Sequence, residues 1–119
     1  MLTKQTPDDI RATLTHKAQG VTNTLILTYH NRTPDEYEAF VGNQENLKIP
    51  EGVTSDHEGI AHLNAGILLY LIKSFDDGTD KDFPLTRDGL VDLERHWPGT
   101  LVGLLKGYHQ ARAAAVEKN

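Results

Sequence analysis

Residues 10–30, IRATLTHKAQGVTNTLILTYH, decide the fold. Ile10, Ala12 and Leu14 alternate with Arg11, Thr13, Thr15 and Lys17, and Val21, Leu25, Leu27 and Tyr29 share one side of a second alternating run. Period-two alternation sends successive side chains to opposite faces of a strand, and threonine and β-branched residues suit a pleated surface. Ala18-Gln19-Gly20 lies between the runs and carries the glycine of a short turn. The stretch predicts a β-hairpin over 10–30, with a helix from Pro7 to Lys17 as the competing prediction for its first half. A lone hairpin is marginal in water and needs another element to pack on.

The remainder of the chain supplies helices. In Thr33-Pro34-Asp35-Glu36 the threonine suits a cap, the proline the first helical position and the glutamate the returning half of a capping box. Tyr37, Phe40 and Val41 form the apolar face of this short helix, and Gly42 ends it. Residues 43–54 are expected as a loop. Ser55-Asp56-His57-Glu58 is a second capping box. Behind it Ile60, Leu63, Ile67, Leu68, Leu71 and Phe75 recur at helical spacing, widened by Leu69 and Ile72. This is expected to be the central, most buried helix, ending before Asp76-Asp77-Gly78. Thr86 starts a third helix to about His96, with Leu85 and Leu90 at the staple positions around its cap. Pro98 opens a last helix to about Val116, roughly 28 Å long at ~1.5 Å per residue. The fold class that follows is α+β and mostly helical. An N-terminal β-hairpin (10–30) leads to about four helices (34–116) around one core, in a single domain over 1–119.

A chain of 119 residues fits one core. Its apolar fraction, 38%, is below the globular average, so a contact between subunits is a candidate source of extra stability. There is no cysteine, which excludes disulfides, thiolate metal sites and a cysteine nucleophile, and suits a reducing cytoplasm. The opening MLTKQTPDDI has no apolar run, so no secretory leader is expected. The longest apolar stretch, Ala65 to Ile72, is far too short to span a bilayer. Net charge is −5, unevenly spread. Residues 1–32 carry four basic and two acidic side chains, 33–79 two and nine, and 80–119 six of each. No basic stripe exists for phosphate, so nucleic acid is not expected as a partner. The acidic middle is a solvated face or a surface that steers a basic protein.

Motifs that suggest chemistry do not have the spacing it needs. His57 and Glu58 resemble the start of a helical zinc site, but the next histidine is His62, five residues on and about 140° around the helix. Asp76, Asp77, Asp80 and Asp82 resemble a calcium loop, yet Gly78 falls too early and no glutamate closes the loop. No glycine-rich phosphate loop or nucleophile elbow appears. No catalytic residue, metal ligand or cofactor is assigned.

The last predicted helix has the least ordinary pattern. Gly99, Gly103, Gly107, Ala111 and Ala115 recur every four residues, beside a bulky stripe of Leu101, Leu104, Leu105 and Tyr108. Each internal glycine costs a helix about 0.5–1 kcal/mol relative to alanine, and a small ridge lets another helix approach closely. The ridge is expected to pack either inside the monomer against the 55–75 helix or against a partner chain. On the second alternative Gly99, Gly103, Gly107, Leu101, Leu104, Leu105, Tyr108 and the corner residue Trp97 are the partner-binding set. Trp97, beside Pro98, otherwise anchors the corner in the core.

The layout also resembles a known family. It runs from a threonine-rich hairpin into Tyr29-His30-Asn31-Arg32-Thr33-Pro34 and then a long apolar helix. An aspartate-rich turn leads into Phe83-Pro84-Leu85-Thr86-Arg87-Asp88-Gly89-Leu90. After Trp97-Pro98-Gly99 comes a terminal helix with Tyr108, Ala111 and a closing Lys118-Asn119. Over roughly residues 10–119 this is similar to the small tail assembly chaperones of long-tailed bacteriophages. The resemblance implies a non-enzymatic protein that binds the tape-measure protein, keeps its apolar helices soluble and helps recruit tail-tube subunits. It implies a homo-oligomer in the cytoplasm of the infected or lysogenic host, absent from the mature virion. The family has no catalytic residues to carry over. The alternative is a small phage-encoded regulator or inhibitor acting by protein–protein binding through its acidic surface. A composite enzyme site would instead need a deep pocket of histidines and carboxylates.

Overall fold

The computed structural model describes residues 7–117, with side chains up to residue 114. Strands β1 (Asp9–Ala18) and β2 (Val21–His30) form the hairpin, paired without interruption from Asp9↔His30 to Ala18↔Val21. The competing helix over 7–17 does not form. The turn is two residues, Gln19 and Gly20, not three, with φ of 53° and 75°. Two left-handed residues in sequence make a mirror-image turn whose twist matches the strands it joins. Alternation sorts the faces as the pattern requires. Ile10, Leu25, Leu27 and Tyr29 are buried, while Arg11, Thr13, Thr15 and Lys17 are exposed.

Helix α1 (Pro34–Gly42) begins with both halves of its capping box: Glu36 N–H donates to Thr33 Oγ1 at 3.1 Å, and Thr33 N–H to Glu36 Oε1 at 2.9 Å. The expected loop after it contains a 3-10 turn, Gln44–Leu47, capped by Asn43. Helix α2 (Asp56–Leu71) starts on Ser55, whose Oγ accepts from Glu58 N–H at 3.5 Å. The returning half of that box is missing, because the Glu58 carboxylate grips Arg95 instead, at 2.7 and 2.8 Å.

The expected helix to Phe75 stops at Leu71. Ile72–Phe75 is a third strand, β3, antiparallel to β2 with a register shift beside Thr28 and Tyr29. The open edge of β2 supplies backbone partners there, and Ile72 and Phe75 enter the same core in either conformation. Asp76 and Asp77 prolong the ladder: Asp76 N–H donates to the Ile26 carbonyl at 2.8 Å, and Ile26 N–H donates to Asp77 Oδ2 at 3.0 Å. Helix α2 buries Leu68 and Leu71 of the predicted stripe, but at its start Ile60 turns outward. Ala61, His62, Ala65, Leu68 and Leu71 are buried, Leu63 and Ile67 are half-buried, and Ile60 is 57% exposed. Small residues take the inner face because neighbours press close. A Cβ on Gly66 would lie 3.3 Å from the Asn46 carbonyl oxygen.

Helix α3 (Arg87–His96) starts on Thr86, whose Oγ1 accepts from Gly89 N–H at 3.0 Å, and buries Leu90, Val91 and Leu93. Helix α4 spans Thr100–Glu117. Pro98 therefore lies before α4 and does not open it. Gly99, at φ 89°, makes the corner in a conformation that favours glycine. The sheet order is β1-β2-β3, and the fold is α+β and mostly helical. Its core joins Leu27 and Tyr29 of the sheet to Leu68, Leu71, Leu90, Leu101, Leu104 and Tyr108 of the helices.

Candidate functional site

The small ridge of α4 faces the chain's own hairpin, and not the 55–75 helix. A Cβ on Gly103 would meet Leu14 and His16 of β1 at 3.9 and 3.7 Å, and one on Gly107 would meet Tyr29 Oη and Leu14 at 3.2 and 3.3 Å. Gly99 is not part of a helical ridge; it lies in the corner, where a Cβ would come within 3.1 Å of His16. Ala115 lies outside the described side chains. The reason is geometric: α4 crosses β1, and a helix approaches a twisted sheet closely only over small side chains. The bulky stripe is internal as well. Leu101, Leu104 and Tyr108 are fully buried in the monomer core, and Leu105 is half-buried against it. Of the expected partner-binding set, Leu101, Leu104 and Tyr108 are turned into the monomer's own core. Trp97 is half-buried and lines a cavity of about 170 Å³ beneath the hairpin tip, with Asn23, Leu25, Phe83 and Thr100.

The corner between α3 and α4 is tied to the hairpin. His16 Nε2 donates to the Pro98 carbonyl at 3.0 Å, and Gln19 Nε2 donates to the His96 carbonyl at 2.9 Å. A second junction joins the far end of β2 to α2 and α4. Tyr108 Oη accepts from Arg32 N–H and donates to the Arg32 carbonyl, both at 3.1 Å. The Arg32 guanidinium sits 4.1 Å from the Tyr70 ring centre, and that ring stacks on Phe40 at 4.2 Å. Arg112 Nε bridges Asn31 Oδ1 and the Arg32 carbonyl. Burial raises the Tyr108 hydroxyl above its ordinary range, so it stays a donor well into alkaline pH. Nothing in the sequence spacing singled out Arg32 or Arg112, since their partners lie about 40 to 80 residues away.

The polar motifs are dispersed or already occupied. His57 is exposed, His62 is buried on the same helix, and Glu58 is held by Arg95. Asp76 accepts from Thr28 and Ser74 hydroxyls, at 2.7 and 2.8 Å, which hold its carboxyl below the ordinary range. Asp77 accepts from Ile26 and Thr79, while Asp80 and Asp82 are exposed. Among the described residues no group of three histidine or carboxylate side chains converges on a point where a metal could sit.

One open groove, of about 270 Å³, lies between α2 and α4, lined by His57, Ile60, Ala61, Asn64, Pro98 and Val102. Ile60 and Val102, from the two helices, are 57% and 45% exposed. The sequence pattern assigned Ile60 to the core, and Val102 was not singled out. No protein-family model, curated protein or solved structure matches the chain. No helix among the described residues is long and apolar enough to cross a membrane.

Proposed function

We propose that this protein works by binding other proteins, as a tail assembly chaperone of a long-tailed bacteriophage. Its client is the tape-measure protein, whose long apolar helices it keeps soluble while tail-tube subunits are recruited. It acts in the cytoplasm of the infected or lysogenic host and is absent from the finished virion. The observation that carries this reading is the α2–α4 groove, to whose lining Ile60 and Val102 both contribute exposed side chains. An amphipathic helix lays its apolar face into an apolar groove between helices. The likeness in layout to the tail chaperones supplies the client.

Co-purification with the tape-measure protein encoded beside it tests the reading. The wild-type chain is expected to hold that protein in solution. Ile60→Asp and Val102→Asp should release it while leaving the circular dichroism unchanged, because both side chains are already in solvent. Failure of the wild type to hold it, or indifference to both substitutions, would overturn the proposal.

A second reading, a regulator that blocks a basic protein, draws on one feature of the surface. Asp35, Glu38, Glu45, Glu51 and Asp56 are all exposed between the start of α1 and the start of α2. It requires a one-to-one complex that weakens with salt.

A further inference from the structure

Strand β1 is the outer strand of the sheet. It is ten residues long, contains no proline, and pairs with β2 in unbroken register. Natural sheets usually blunt such an edge with a proline, a bulge, a short strand or charged side chains, and of these β1 carries only the charges of Asp9, Arg11 and Lys17. Among the described residues nothing pairs with it.

Which backbone groups are free follows from the turn. A two-residue hairpin closes on a hydrogen-bonded pair, here Ala18↔Val21, and such pairs then alternate along the ladder. The even-numbered residues from Ile10 to His16 therefore bond to β2. Asp9, Arg11, Thr13, Thr15 and Lys17 direct N–H and C=O outward. Ile26 provides a check on the phase. It lies opposite Thr13, and its own N–H and C=O point away from β1, to Asp77 and Asp76.

The outward set is self-complementary. If a second copy of β1 is laid antiparallel about a two-fold axis at Thr13, Asp9 faces the partner's Lys17 and Lys17 faces the partner's Asp9. Arg11 and Thr15 face one another in the same way. Moving the axis to Arg11 sets two guanidiniums opposite, and moving it to Leu14 sets Arg11 opposite the partner's Lys17. Like charges in directly opposed positions are destabilising. Asp9 already accepts from Lys73 Nζ at 2.7 Å, but a carboxylate has acceptor sites for a second cation.

The flank of the edge is shaped for the same event. A groove of about 480 Å³ runs between β1 and α4, with Ile10, Ala12 and Leu14 on one wall and Gly107, Ala111 and Ala114 on the other. Ala12 and Leu14 face the helix layer yet remain half-buried. A neighbouring strand would cover them. The small residues along this side of α4 leave room for the second copy's helix to approach across the axis.

We propose that the chain self-associates through β1, edge to edge and antiparallel about Thr13, so that two three-stranded sheets become one of six strands. About ten backbone hydrogen bonds would cross the interface. The pairing goes beyond the client-binding reading and does not rest on it, because the α2–α4 groove plays no part.

Sedimentation velocity over a concentration series is the test. The wild type is expected to form a dimer. Thr13→Pro removes an N–H that has no partner within the chain, at a site where an edge strand tolerates proline, and should give a folded monomer. Asp9→Lys and Lys17→Asp each set like charges opposite at both ends, and each alone should weaken the dimer at least about tenfold. Mixed one to one, these two variants recreate both opposite-charge pairs and should associate again. A protein that stays monomeric at all concentrations overturns the proposal. So does a dimer indifferent to Thr13→Pro, or a charge pair that does not recover on mixing. Should Thr13→Pro unfold the hairpin, the mixing experiment decides alone.

Discussion

The Glu94 carboxylate, on the last turn of α3, accepts the backbone N–H of Gly99 at 2.6 Å, and its second oxygen accepts that of Leu101 at 3.0 Å. A helix normally draws its N-terminal cap from the residue just before it. Here a neighbouring helix reaches across the corner, and Glu94 is 7% exposed as a result. Glu94→Ala leaves the buried Leu101 N–H and the part-buried Gly99 N–H without this acceptor and should cost about 2 kcal/mol. Glu94→Gln keeps one acceptor and should cost about half of that. Urea midpoints of the two variants against wild type check the order.

The three glycines of the 99–107 series should respond differently to alanine. At Gly103 the new Cβ meets only ordinary van der Waals neighbours at 3.7 and 3.9 Å, so alanine should stabilise by about 0.5–1 kcal/mol through helix propensity. At Gly107 the contacts of 3.2 and 3.3 Å to Tyr29 Oη and Leu14 are tight, and crowding offsets that gain. At Gly99 the φ of 89° strains any side chain, so alanine should destabilise by about 1–2 kcal/mol. Melting temperatures that rank Gly103→Ala highest and Gly99→Ala lowest would support this placement of the ridge.

Tyr29 Oη donates to the Leu104 carbonyl at 2.8 Å inside the core, and its ring meets Tyr108 edge-on at 5.4 Å. Burial raises the Tyr29 hydroxyl well above its ordinary range, so it remains a donor throughout the accessible pH range. Tyr29→Phe keeps the ring and loses one hydrogen bond, a cost of about 1 kcal/mol. Tyr29→Ala removes the ring from the sheet–helix contact and should cost about 3–5 kcal/mol, the usual range for a buried aromatic. Denaturation curves of the pair separate the two contributions.

Acid should weaken the fold through four carboxylates, the first being Glu36, whose carboxyl the backbone N–H and side chain of Thr33 hold below its ordinary pKa. The Arg95 guanidinium holds Glu58 below its ordinary pKa, and the Thr28 and Ser74 hydroxyls do the same for Asp76. For Asp77 burial pushes the pKa up, but hydrogen bonds from Thr79 and Ile26 outweigh it and leave it lowered. With the folded pKa below the unfolded one, the unfolded chain binds more protons. The stabilisation is complete above the ordinary carboxylate pKa of about 4 and is lost as pH falls through the folded values. Urea midpoints should fall slightly as pH goes down through the histidine range, because burial lowers the His30 pKa, and drop more steeply below about pH 4. Asp77→Asn should make that drop shallower.

Much of the architecture was legible one segment at a time. Alternation from Ile10 to Tyr29 favours a hairpin because a strand sends neighbours to opposite faces, and the structure decides it against the competing helix from Pro7 to Lys17. The Thr33 capping box and the Thr86 cap are local, each closed within three residues. Local patterns were ambiguous wherever two conformations bury the same atoms. Ile72 and Phe75 continue a helical stripe and equally serve a strand, and the open edge of β2 decided between them.

The surface was not legible in this way. Ile60 fits the period of a buried face and stands in solvent, because α2 turns its alanines and glycines inward where α3 and α4 press close. The glycines of α4 signal a close approach, and sequence alone does not say to what; the structure puts β1 there. Capping, alternation and helical period act between residues a few positions apart, so the sequence by itself determined the four helices and favoured the hairpin, but did not determine β3. Which edge, groove and helix face remain open depends on contacts between residues about 40 to 80 positions apart, such as Arg95 with Glu58 and Tyr29 with Leu104. Those contacts arise only when the elements pack, and so only the tertiary structure decided where this protein can meet another.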